Sequence, residues 1–119
     1  MPAGYLIAES MRPGSTLEGF ALTLTRIERY TVDNATEQQP AAWTMVHFEF
    51  PEDQAKSVAN ALADVLDTPG WYTNFDTDEE TIVIFPGRVF RYPHDDKAAR
   101  TEAEAYAATL DIPAAQRDW

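Results

Sequence analysis

A histidine and a glutamate two residues apart, His47 and Glu49, are the pair in this chain whose types suit acid–base chemistry. They lie in the run WTMVHFEF (residues 43–50), where polar and apolar side chains alternate as in a β-strand. In a strand, Thr44, Val46, Phe48 and Phe50 take one face and Trp43, Met45, His47 and Glu49 the other. A carboxylate beside an imidazole favours its charged form and raises its pKa, which suits a base and the group that orients it. Trp43 and Met45 on the same face supply apolar walls for a small-molecule pocket. The plainer reading is a solvated sheet face, or one covered by a second subunit, with His47 a half-exposed polar residue.

A second group is Arg88, Arg91, Tyr92 and His94, with Trp71 and Tyr72 close by in sequence. It is the one basic cluster of the chain. An arginine fork can hold a carboxylate or phosphate. Arg88 and Arg91 fall on opposite faces of a regular strand, which weakens the case for one anion site. They are equally suited to pair with the acidic run Asp76, Thr77, Asp78, Glu79, Glu80, since cross-strand opposite charges are ordinary in sheets. That run has oxygens for a divalent cation, but not the regular spacing of a hard-cation loop. Metal binding is therefore not expected. The chain has no dinucleotide or phosphate-binding glycine motif, no paired-histidine zinc motif and no nucleophile elbow. It has no cysteine, which removes disulfides, thiolate metal sites and cysteine nucleophiles. No cofactor is implied.

These groups need elements to position them. Residues 5–11 (YLIAESM) read as a short strand closed by the turn former Arg12-Pro13-Gly14-Ser15. Residues 20–32 (FALTLTRIERYTV) read as a second strand. Phe20, Leu22 and Leu24 alternate and Ile27 is out of phase by one, which predicts a bulge near Thr25 and Arg26. Residues 33–42 read as a loop, and residues 43–50 as the third strand. Pro51-Glu52-Asp53 opens a helix whose stripe is Ala55, Val58, Ala59, Leu62, Val65 and Leu66, stopped by Thr68-Pro69-Gly70. Residues 71–76, 81–85 and 89–92 read as a meander. Asp95 or Asp96 caps a final helix with the stripe Ala99, Ala103, Tyr106, Ala107 and Leu110. Trp119 is expected to dock on the fold.

The order β-β-β-α-β-β-β-α predicts a single α+β domain over residues 1–119. Its expected form is a two-layer sandwich, an antiparallel sheet of about six strands with both helices on one face. The 119 residues suffice for a core without metals or disulfides. The formal net charge of −11 disfavours direct nucleic-acid binding and anionic membranes. No run is long and apolar enough to span a bilayer, and the first residues lack the pattern of a secretion signal. The expected location is the cytoplasm.

The strings GWYTNFDTDEETIVIFPGRVFRYP (residues 70–93) and YLIAESMRPGSTLEGFALTLTRIER (residues 5–29) resemble a group of small, uncharacterised, acidic single-domain proteins from high-GC bacteria. The resemblance implies a free-standing domain and assigns no activity, ligand or catalytic residue.

These readings lead to a non-catalytic binding or interaction protein, a homodimer or a binder of another protein, using the open sheet face with Trp43 and Met45. One alternative is a small-ligand binder or small enzyme, with His47 and Glu49 for proton transfer and Arg88 or Arg91 as anion holder. Another is an acidic mimic of nucleic acid.

Overall fold

The structure is a computed structural model, and it describes residues 1–117 and 119. Its strands are β1 (Ala3–Ile7), β2 (Thr23–Thr31), β3 (Ala42–Glu49), β4 (Thr73–Asp76), β5 (Glu80–Phe85) and β6 (Arg88–Pro93). Its α-helices are α1 (Ala55–Val65) and α2 (Lys97–Thr109). The chain is α+β, with the element order read from the sequence.

The strands form two antiparallel three-stranded sheets, ordered β1-β3-β2 and β4-β5-β6. The two meet edge to edge at β1 and β4. There the Thr73 hydroxyl donates to the Tyr5 carbonyl at 2.6 Å, and the Tyr5 hydroxyl donates to Asn74 Oδ1 at 3.1 Å. Gly4 permits this approach, since a Cβ there would stand 3.1 Å from the Phe48 ring and 3.6 Å from Phe75 Cβ. In β2, Leu24 pairs with Phe48 and Arg26 with His47, leaving Thr25 as the bulged residue. The bulge returns Ile27 to the face that carries Leu24, as the phase slip in the sequence predicts.

The layering differs from a sheet with both helices on one face. Leu6, Phe48, Phe50, Ile82 and Ile84 pack with Val58, Ala59 and Leu62 of α1. Val83, Phe85 and Tyr92 pack instead with Ala103 and Ala107 of α2. Consecutive residues of β5 point to opposite faces, so the two helices sandwich the β4-β5-β6 sheet. The cause is the run Ile82-Val83-Ile84-Phe85, all fully buried, which leaves neither face of β5 fit for water. Trp119 docks on the α2 side, its ring centroid 5.1 Å from that of Tyr72.

Helix ends follow local chemistry. Asp96 caps α2 by accepting the Ala99 N–H at 3.0 Å. Beyond α1, Leu66 turns extended and bridges to Met11, while the Arg12 N–H donates to the Val65 carbonyl at 2.7 Å. Among the described residues, no helix is long and apolar enough to cross a membrane.

Candidate functional site

Because α2 covers only the β4-β5-β6 half, the β1-β3-β2 half carries no helix on that side. A cleft of about 180 Å³ opens there. Tyr5, Ile7, Tyr30, Trp43 and Met45 come from the three strands, and Trp71 and Tyr72 from the segment before β4. Val32, Asn34 and Gln116 complete its rim, and none of its described lining residues is charged.

Thus four of the residues singled out in the sequence, Trp43, Met45, Trp71 and Tyr72, line one cleft. Trp43 is not an open interface residue, however. It is 8% exposed, its indole N–H donates to the Pro40 carbonyl at 2.8 Å, and its ring lies 5.1 Å from Trp71. The loop and Trp71 cover the ring because its apolar area is costly to leave in water.

Two buried glutamines hold the rim, and the sequence reading missed both. Gln39 Nε2 donates to the Gly70 carbonyl at 2.9 Å, and Gln39 Oε1 accepts the Thr36 N–H at 3.0 Å. Gln116 Nε2 donates to Gln39 Oε1 at 3.0 Å and to the Asn34 carbonyl at 2.5 Å. The Tyr72 hydroxyl donates to the Gln116 carbonyl. Glutamine is rarely buried, and within a polar loop its type gives no hint that it will be. Its only signal is tertiary.

His47 finds a carboxylate, but from another strand. His47 Nε2 lies 3.0 Å from Glu28 Oε1, and Arg26 donates to Glu28 Oε2 at 2.6 Å. The His47 contact foremost, with Arg26, holds the Glu28 carboxyl below its usual range. Glu49 is opposed in the ladders by Ala3 and Thr23. His47 and Glu28 are each about one-third exposed at the side chain. The trio forms a surface ion cluster beside the cleft, with no nucleophile among its members.

The arginines do not converge. Arg88 stacks over the rings of Phe90 and Tyr106, 4.6 and 4.9 Å from their centroids, on the α2 side. Arg91 donates to Glu80 at 2.7 Å across the β5–β6 ladder. Tyr92 is buried, and burial pushes its phenol above its usual pKa against the opposing Trp119 indole. His94 is tied to the acidic turn, with Nε2 3.0 Å from the Thr77 carbonyl and Nδ1 2.9 Å from the Thr81 hydroxyl. Among the described residues, no three acidic or histidine side chains are gathered as a metal site would need.

A further open surface is β2. Among the described residues it is the edge of its sheet, paired only with β3. Leu24 and Ile27 share one face and are 57% and 58% exposed. A long edge strand with exposed apolar side chains presents unpaired N–H and C=O groups to any chain that can add to it.

No protein-family model, curated protein or solved structure matches this chain.

Proposed function

We propose that this chain is a non-catalytic binding protein of the cytoplasm that associates with a second copy of itself through the first sheet. One observation carries the reading: β2 is a nine-residue strand at the edge of its sheet whose Leu24 and Ile27 stand in water. The contact is displaced from Trp43, which is buried, to the adjoining edge. Catalysis has little support, because His47 pairs with a half-exposed carboxylate with no nucleophile beside it and the arginines are engaged elsewhere. Sedimentation velocity over the micromolar range tests the reading. A dimer that Ile27→Lys converts to a folded monomer supports it. A wild-type monomer throughout that range removes it.

The cleft favours a second reading, a site for an uncharged, flat small molecule. Its walls are aromatic, its rim carries the Asn34 side-chain amide, and it has no charged lining residue among those described. It is smaller than the ~300–1,000 Å³ of drug-sized sites, so the fitting molecule is of fragment size. Titration with indole, followed by the NMR signal of the Met45 methyl group, should show saturable shifts that Met45→Ala weakens. Unmoved Met45 and Trp43 signals at millimolar indole would refute this reading.

A further inference from the structure

Resting on the self-association above, we propose that two copies join β2 to β2, antiparallel, about a two-fold axis at Ile27. Directly opposed residues of an antiparallel ladder share a face. A two-fold axis between identical strands therefore passes at a residue, which then faces its own copy, and neighbours on either side face each other in exchange. Beyond the bulge and before Tyr30, the possible centres are Arg26, Ile27, Glu28 and Arg29. Centres at Arg26, Glu28 or Arg29 set like charges directly opposite, which is destabilising.

The centre at Ile27 does the reverse. It sets Arg26 opposite the partner's Glu28, and Glu28 opposite the partner's Arg26. It also sets Ile27, among the most exposed large apolar residues of the chain, against its own copy. A centre at Tyr30 opposes no Arg26 to a Glu28 and leaves Ile27 away from the axis. The charges that guard an edge against foreign strands thus match the strand to itself in one register. The result is a single sheet running β1-β3-β2 into the partner's β2-β3-β1.

The chain has no cysteine, so a single introduced thiol reports the register. Under mild oxidation, Ile27→Cys should give a covalent dimer in high yield. Arg29→Cys, on the same face, should not, because the two copies of that position stand about 13 Å apart along the strand. Arg26→Glu and Glu28→Arg should each weaken dimerisation at least about ten-fold, through like charges now opposed. The double exchange R26E/E28R should restore it. Circular dichroism checks that each variant is folded. A wild-type monomer defeats the self-association reading and this one together. A wild-type dimer in which I27C fails to cross-link, R29C cross-links as well, or the double exchange does not restore pairing defeats the register alone.

Discussion

Glu9 Oε1 accepts the Thr44 backbone N–H at 2.6 Å, taking up the ladder where β1 ends. Opposite Met45, β1 stops at Ile7, and the chain bends into the short 3₁₀ turn Ala8–Ser10. Thr44 would otherwise offer an unpaired N–H on that side of β3. The Glu9 carboxylate also takes the Thr44 hydroxyl at 2.8 Å and lies 3.4 Å from Arg29 of β2. One side chain therefore ties all three strands of the first sheet.

This arrangement gives a pH dependence with a defined sign. Partial burial pushes the Glu9 carboxyl up, but the Thr44 N–H and hydroxyl, aided by Arg29, hold it below its usual 4.5. A carboxyl whose folded pKa is lowered stabilises the fold above its unfolded value. That contribution fades as pH falls from about 4.5 through the folded value. Glu9→Gln should lower stability at neutral pH by about 1–2 kcal/mol and flatten the acid limb of a stability profile. Urea unfolding from pH 3 to 7 measures both; an unchanged acid limb would contradict the assignment.

Gln39→Ala should cost about 1–3 kcal/mol, because it removes a partner from the Gly70 carbonyl and the Thr36 N–H and one of the two partners of the buried Gln116 amide. In thermal unfolding the midpoint should fall by several degrees, at about 4 °C per kcal/mol. The emission of Trp43 and Trp71 should shift red before global unfolding, as the loop over them loosens.

Gly70 has φ +88°, and a Cβ there would meet Gln39 Nε2 at 3.2 Å. Gly14 has the same φ with nothing within 4 Å. Gly14→Ala should therefore lose only the backbone term, about 1 kcal/mol, while Gly70→Ala should lose more and disturb the cleft rim. Equal losses in parallel chemical denaturation would show that the Gln39 contact is unimportant.

Phe85→Ala and Ile84→Ala test the opposite-face placement of the helices. Each deletes a fully buried side chain of β5 and should cost about 2–5 kcal/mol. Phe85 meets Tyr106 at 5.2 Å between ring centroids, so its loss should speed amide exchange in α2 first. Ile84→Ala should act first on α1. The same helix responding to both would place the two side chains on one face.

The elements were legible in the sequence because their signals are local. Period-two alternation marks β3, a phase slip marks the bulge at Thr25, and Asp96 marks the start of α2, while Pro51 opens a 3₁₀ turn, Glu52–Gln54, that leads into α1 at Ala55. The apolar run in β5 also carried a signal for burial on both faces, and reading its strand as one-sided put both helices on the same layer. Charge placed Arg88 and Arg91 in a cluster, but strand alternation separates them, sending one to aromatic rings and the other to Glu80.

The sequence by itself determined the element order, the bulge, and which faces of β3 are apolar, because each depends on residues within a few positions of one another. Only the tertiary structure decided that Glu28 and not Glu49 meets His47, that Gln39 and Gln116 brace the cleft's rim, and that Trp43 is covered. Those outcomes depend on which strand lies beside which and where a distant loop comes to rest. Hydrogen-bond partners and burial across such separations follow from packing of the whole chain, and no short stretch of residues encodes them.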